Sequence, residues 1–399
     1  MKPFDVAIVG GGLVGACLAV GLARSGRRVA VVEAVERQAD DKPSYDDRTL
    51  VINLASLNIL TNLGLLPDSL NRVPLRQIEV TRSGGFGHLN LTAREFGREQ
   101  FGAVIVAREL GMVLLDALED HESIDLLCPE RVQAFSTDSE GVDIELESGD
   151  SLSAGLLVGA DGNASRVREL AGLHCQRHDY GQSAMIFNCR PDRASPGTAW
   201  ERFTDRGPLA LLPQPGGRVG VVWIDRNEAI DTAMDLSDDA LMSQLHQRFG
   251  PSLGRFSGPG KRARYPLTRQ RTPWPVSNRI VVVGNAANAV HPVSAQGFNL
   301  GLRDVGGLID ALAGAEDCGE SGHLQLYARA RQADQEATVR YTDTLARGFT
   351  NPSLLAQLAG GVGLAAHAAL PGLKRRLVHA AMGFREPVCS LARASEKAA

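Results

Sequence analysis

The stretch from Phe4 to Glu33 constrains the fold of this chain more than any other. It reads FDVAIVGGGLVGACLAVGLARSGRRVAVVE. The β-formers Val6 to Val9 run into Gly10-Gly11-Gly12, and a helical pattern follows from Leu13 to Arg24. Gly26 ends it, and Val29 to Val32 close on Glu33. This is a βαβ unit with the spacing Gly10-x-Gly12-x-x-Gly15, the pattern of a dinucleotide-binding turn. Gly10 permits the tight turn out of the strand. Gly12 lets a pyrophosphate approach the backbone, and Gly15 lets the helix lie close on the sheet. The helix N-terminus adds unpaired N–H groups and partial positive charge. Glu33 is placed to accept hydrogen bonds from ribose hydroxyls. Any dinucleotide fits this unit, and a plain packing turn with incidental glycines is the competing reading.

The remaining composition narrows the setting. With 399 residues the chain is long enough for two or three domains. A formal net charge of -4 gives no bulk electrostatic case for nucleic acid. Cys17, Cys128, Cys175, Cys189, Cys318 and Cys389 lie far apart, with no C-x-x-C pair and no zinc spacing. Free thiols in a reducing compartment and no metal are the expectation. The nucleotide strand starts at residue 4, which leaves no room for a signal peptide ahead of it and predicts a cytoplasmic protein. Leu354 to Leu370 is uncharged for 17 residues but contains Gln357, His367 and three glycines. That is too short and too weakly apolar for a span. It predicts a helix that docks on protein or on the inner-membrane surface, with Lys374, Arg375 and Arg376 following.

Along the chain, Leu54, Leu57, Leu60 and Leu63 fall at helical spacing up to Gly64. Strand patterns follow in QIEVTRS and GHLNL, then a helix around Val104 to Leu118. Val142, Ile144 and Leu146 alternate with acids, and Leu156 to Val158 is a short buried strand. From Ser183 to Arg264 the pattern is β-rich, interrupted by a helix over Leu236 to Phe249. A nucleotide-type strand, Arg279 to Val283, then precedes helices over Gly297–Leu312 and Leu324–Arg347. The fold class is α/β: a discontinuous Rossmann-like dinucleotide-binding domain (1–74, 100–180 and 266–345) with an inserted β-sheet substrate domain (75–99 and 181–265) and a helical C-terminus (346–399).

Two further motifs carry chemistry. Leu156–Val158 runs into Gly159-Ala160-Asp161-Gly162, followed by Ser165, Arg166 and Arg168. Alone, this reads as a strand-to-helix turn with Ser165 as the cap. The third motif, VVVGNAANAVHPVSAQGFNLGLRD, takes a strand into Gly284-Asn285, bends at His291-Pro292 and opens a helix at Gln296-Gly297-Phe298-Asn299. A helix N-terminus with the side-chain-free Gly297 can bring N–H groups against an electron-rich ring.

These three motifs, in this order over residues 4 to 385, resemble the flavoprotein aromatic hydroxylases, the group that includes p-hydroxybenzoate hydroxylase. GNAANAVHPVSAQGFNLGLRDV, WERFTDRGPLALLP and LARGFTN are most similar to the ubiquinone-biosynthesis hydroxylases, in the branch called 2-polyprenyl-6-methoxyphenol hydroxylase. The resemblance implies FAD as cofactor. Gly10, Gly12 and Gly15 would hold its pyrophosphate and Glu33 its adenosine ribose. Arg48 and Arg108 would approach the phosphates and flavin, and the Val132 backbone would meet the adenine. Asp161, Gly162, Asn285, Pro292, Gly297, Phe298 and Asn299 would complete the site. The third motif usually begins Gly-Asp. Asn285 still accepts a hydrogen bond but brings no charge, so weaker FAD binding is expected.

The implied reaction uses NAD(P)H and O2, through a flavin hydroperoxide, to hydroxylate the ring of a polyprenylated (methoxy)phenol in ubiquinone biosynthesis. Partners implied with it are other proteins of that pathway. His291 and Arg48 are the catalytic candidates. His291 titrates near neutrality and is the candidate general base, or else a structural loop histidine. Leu209 to Pro213 and Trp223 would line the substrate pocket or simply fill the sheet's core. Rival readings on the same sequence are an NAD-dependent dehydrogenase, a flavin-dependent reductase and a non-catalytic FAD-binding scaffold subunit.

Overall fold

A parallel sheet places the sequence motifs side by side. The computed structural model describes residues 4–36, 48–83, 87–193, 195–350 and 361–394 except 362 and 364. The first strand, Phe4–Val9, lies between Val29–Val32 and Ser151–Gly159, parallel to both. Ile124–Leu127 extends the sheet on one side, and Ile280–Val282 on the other. Val6–Val9, Val29–Val32, Leu156–Val158 and Ile280–Val282 read as unbroken apolar runs because both faces are covered. Val6, Ile8, Val31, Leu156 and Val158 pack under helices α1 (Leu13–Arg24), α2 (Leu54–Asn62), α3 (Ala107–Glu119) and α7 (Gln296–Ala311). Ala7, Val32 and Leu157 face a second core with Val142, Ile144 and Val167. Further helices are α4 (Arg166–Leu170), α5 (Asn227–Met234), α6 (Asp238–Phe249) and α8 (Ser321–Thr350).

A nine-stranded sheet is inserted into this domain. It takes Gln77–Arg82 and His88–Thr92 from the first half of the chain, and strands between Gln176 and Arg271, together with Asn288–Ala289, from the second. One face is closed by α5 and α6, which cover Trp200, Leu209, Leu211, Val221 and Trp223. The other turns toward the nucleotide domain, where Ala199 and Leu212 meet Leu75 and Val104.

Two segments differ from the sequence reading. Thr49–Asn53 is a strand ahead of α2, and Gly102–Val106 is a strand ahead of α3. The two pair antiparallel, Thr49 opposite Val106 and Asn53 opposite Gly102. A short apolar run before a helix carries no periodicity of its own, so Val104 was absorbed into the helix that follows it.

Positions 354–360, 362 and 364 of the apolar C-terminal stretch lie outside the described residues. Beyond it, the helix Pro371–Ala381 packs Val378, with Met382, against Leu89, Leu91 and Phe101. The chain end returns beneath α2, where Asn58 and Asn62 donate to the Ala392 and Leu391 carbonyls, each at 2.8 Å. No helix among the described residues is long and apolar enough to cross a membrane. Among them, no group of three or more His, Cys, Asp or Glu is arranged to hold a metal ion.

Candidate active site

The register fixes the site. Val9 lies opposite both Val32 and Gly159, and Gly159 opposite Val282. The residues just beyond these strand ends are Gly10, Glu33, Asp161 and Gly284-Asn285, so one crevice at the carboxyl edge collects all three motifs, as open α/β sheets require. Gly10 has φ of +102°, and a Cβ there would stand 2.6 Å from the Ala160 carbonyl. A Cβ on Gly15 would run into the Gly10 carbonyl. Gly12 is the N-cap of α1.

Glu33 receives the Gly11 N–H at 2.7 Å and the Val35 N–H at 2.9 Å, one on each carboxylate oxygen. Each oxygen keeps a further lone pair for a hydroxyl. A cavity of about 620 Å³ opens beside it, lined among others by Gly11, Glu33, Leu126, Cys128 and Pro129. Glu130 donates to the Glu33 carbonyl at 2.8 Å. That bond brings the start of the Val132 strand alongside, while the Val132 side chain is buried in the second core.

Asp161 accepts from the Arg166 and Val167 amides through Oδ2, at 2.6 and 3.2 Å, and Ser165 accepts from Arg168 at 3.0 Å. The turn therefore does cap α4. Asp161 Oδ1, however, is buried without a protein partner. Gly162 completes the turn with φ of +79°. Gly284 donates to Asp304 at 3.3 Å, and Asn285 beside it is exposed at the crevice.

The loop from His291 to Asn299 is the most constrained part of the site. His291 is 1% exposed. Its Nδ1 accepts the Val293 N–H at 3.2 Å, so the neutral ring carries its hydrogen on Nε2, which is buried without a partner. Burial lowers its pKa to about 4, opposed by the nearby Asp343 charge. The ring sits edge-on to Tyr180 at 5.0 Å, whose hydroxyl donates to Asp343 at 3.0 Å. Pro292 leads into Ser294 and Ala295, two successive non-glycine residues at positive φ, +62° and +49°. Such backbone is costly and persists where the surroundings enforce it.

Asn299 contributes to that enforcement. It accepts from Asn53 at 2.9 Å and donates to the Val51 and Ala295 carbonyls, both at 2.7 Å. Its amide is thus spent on holding the loop. Phe298 packs against the first core. A Cβ on Gly297 would meet only Val290, at 3.9 Å, so the missing side chain leaves open space at the α7 N-terminus.

Behind the loop, α7 is locked to α8 by buried charges. Arg303 pairs with Asp334 at 2.7 Å, and Arg331 bridges Asp334 at 2.7 Å and Asp304 at 3.0 Å.

Arg48 and Arg108 are brought together, because the Arg48 carbonyl accepts the Ala107 N–H at 2.8 Å. The Arg48 guanidinium lies 5.0 Å from the centre of the Tyr265 ring on the inserted sheet, and Arg108 is exposed on the first turn of α3. The expected substrate stretch divides by strand alternation. Leu209, Leu211 and Trp223 belong to the outer core, whereas Leu212 faces the nucleotide domain. Sequence reasoning missed Glu201 and Tyr341. Burial raises the pKa of both, Glu201 to about 7, and both approach Ser294.

FAD fits this crevice. The glycine turn, the Glu33 acceptors and the adjoining cavity suit an adenosine diphosphate. The unpartnered Asp161 Oδ1 and His291 Nε2, with the open space at Gly297, suit a polar ring system at the other end.

The fold and site define a flavin-dependent oxidoreductase. The chain belongs to the FAD binding domain family, whose model matches residues 3–342. It is 36% identical over 388 residues to the ubiquinone hydroxylase UbiL of Rhodospirillum rubrum, covering 96% of this chain and 90% of that protein. It is 32% identical over 392 residues to 3-demethoxyubiquinol 3-hydroxylase of Escherichia coli, covering 96% and 99%. PqsL, a probable FAD-dependent monooxygenase from Pseudomonas aeruginosa, shares the fold with a TM-score of 0.76 at 22% identity, covering 91% of this chain and 100% of that one. The protein is an FAD-dependent monooxygenase.

Proposed function

We propose that this monooxygenase hydroxylates the aromatic ring of a polyprenylated phenol on the route to ubiquinone, with NAD(P)H as reductant and O2 as oxidant. The observation that carries the reading is the union of the flavin crevice with a sheet face suited to an apolar substrate. It is supported by the ubiquinone-pathway names of relatives aligned along nearly the whole chain.

FAD, when bound, supplies the electron relay from NAD(P)H and the activation of O2. The chain's own residues do the rest. Gly10, Gly12 and Gly15 with the α1 N-terminus hold the pyrophosphate, and Glu33 the ribose. Asn285 and Asp161 hold polar atoms farther along. The α7 N-terminus at Gly297 would offer partial positive charge to the cofactor's ring system. His291, neutral at physiological pH and held through Nδ1 by the Val293 amide, orders the loop rather than acting as a base. Ile186 and Val222, partly buried on the inner sheet face, exclude water around the reacting ring.

The helix Pro371–Ala381 offers a peripheral contact with the bilayer that holds such a substrate. Leu370 and Leu373 are 52% and 39% exposed beside the exposed Arg375 and Arg376. Purified holoenzyme given a methoxyphenol bearing one isoprene unit should oxidise NADH or NADPH several-fold faster than without it and consume O2. Pyridine nucleotide oxidation that the phenol leaves unchanged would overturn the substrate assignment.

A further inference from the structure

Glu201 is a titratable group to which the steps above give no task. It sits in the strand Thr198–Phe203, opposite Val80 on one side and Ala210 on the other. Its neighbour Trp200 points into the outer core beneath α5 and α6. Strand alternation therefore turns Glu201 to the face that Ala199 shares with the nucleotide domain. Its other neighbour, Arg202, makes its contact with Thr81 at 3.5 Å.

Across from Glu201 stands the flavin loop. The amide of Ser294, the first of the two left-handed residues, faces its carboxyl. Tyr341 of α8 reaches the same point, touching the Ser294 side chain and sensing the Glu201 charge, with Arg385 beyond it. A substrate sheet, a flavin loop and a helix of the nucleotide domain thus converge on one half-buried carboxyl.

We propose that Glu201 is a catalytic residue of the hydroxylation: its carboxylate accepts the hydrogen bond of the substrate's ring hydroxyl and takes that proton as oxygen reaches the ring. The inference rests on the phenol reading above. The phenol O–H bond breaks and a carboxyl O–H bond forms. The electron pair left on the phenol oxygen raises the nucleophilicity of the ring carbon that is attacked. Once the new C–O bond has formed, that carbon loses its hydrogen as a proton to water, the C–H electron pair restores the aromatic ring, and the Glu201 proton returns to the phenol oxygen. One oxygen atom is gained, and O2 and NAD(P)H supply it together with the electrons that reduce the other atom to water.

The neighbouring groups leave this task to Glu201. His291 loses its proton at about 4, whereas burial raises the Tyr341 and Tyr180 hydroxyls above their ordinary value. Burial brings the Glu201 carboxyl to about 7, opposed by the Ser294 amide, so it is the group of this cluster that changes charge near neutrality.

The test uses FAD-loaded wild type, Glu201→Gln and Glu201→Asp with the single-isoprene methoxyphenol between pH 5.5 and 8.5. In the wild type kcat should rise through a limb near pH 7. In Glu201→Gln the limb should vanish and kcat fall on the order of 100-fold at pH 8, with FAD content held. Glu201→Asp should restore the limb at lower kcat. A Glu201→Gln enzyme with wild-type kcat and an unchanged limb would overturn the proposal. Binding is read independently from the flavin absorbance change. The wild type should bind the phenol more tightly above pH 7 and Glu201→Gln should not. If the wild type binds but does not turn over the phenol, the substrate reading fails and the binding profile alone decides Glu201. A phenol that neither binds nor reacts overturns both.

Discussion

At the scale of residues, His291 shows how burial decides chemistry. An exposed loop histidine at this position would titrate near neutrality and serve as a base. Here the ring is sealed, its Nδ1 is occupied by the Val293 amide, and its pKa falls to about 4. The sign of the resulting linkage is definite. The folded pKa lies below the unfolded value of about 6.5, so the stabilisation is complete above pH 6.5 and is lost as pH falls toward 4. The loss amounts to about 3 kcal/mol. Urea denaturation of wild type and His291→Gln should therefore show their stability difference shifting by that amount against the wild type between pH 7 and pH 4. A difference independent of pH would mean that the ring protonates freely in the folded protein. Glu201 is the opposite case, a carboxyl that burial brings into the neutral range. In the sequence it is one acid in a β-rich stretch, with nothing local to mark it. What distinguishes it, the Ser294 loop across the interface, is more than ninety positions away.

At the scale of elements, the parallel strands and the three motifs were legible because each is local. A glycine turn, its strand and its helix are contiguous, and the register then brings their ends together. The antiparallel sheet was legible as strands but not as faces. Leu209, Leu211 and Trp223 read equally as pocket lining or as sheet core, and the position of α5 and α6 makes them the covered side. The strand Gly102–Val106 was hidden by the helix that follows it, since its partner Thr49–Asn53 is some fifty residues earlier.

The α7–α8 pairing carries its own prediction. Asp334 is wholly buried and holds both Arg303 and Arg331, and Arg331 holds the Asp304 that receives the Gly284 amide. Asp334→Asn leaves two buried guanidinium groups short of a counter-charge and should cost about 3–5 kcal/mol. Chemical denaturation measures it, and FAD retention should fall with it because the network supports both the α7 N-terminus and the third motif. A loss below about 1 kcal/mol would mean that the pair is hydrated rather than sealed.

At the scale of the whole molecule, the inserted sheet and the nucleotide domain are joined at the site itself, through Arg48 over Tyr265, Tyr180 against His291, and Gln214 donating to Thr49 at 2.6 Å. The C-terminal segment is part of this body. The Ala55 amide donates to the Met382 carbonyl and the Asn53 side chain to the Ala381 carbonyl. Cutting the chain after Thr350 would remove those bonds, so the membrane contact is better tested by charge reversal. Arg375→Glu with Arg376→Glu should keep the flavin and lower co-sedimentation with vesicles rich in anionic lipid by several-fold at low salt. Undiminished binding would move the contact elsewhere.

The central claim is that the two domains together place one oxygen atom from O2 on a phenol ring. Turnover of the single-isoprene methoxyphenol by yellow, FAD-containing protein under ¹⁸O2, followed by mass spectrometry of the product, tests it most directly. One ¹⁸O atom per product molecule is expected, with NAD(P)H consumed in equal amount. A product without the label, or pyridine nucleotide oxidised with peroxide as the sole oxygen product, would contradict it.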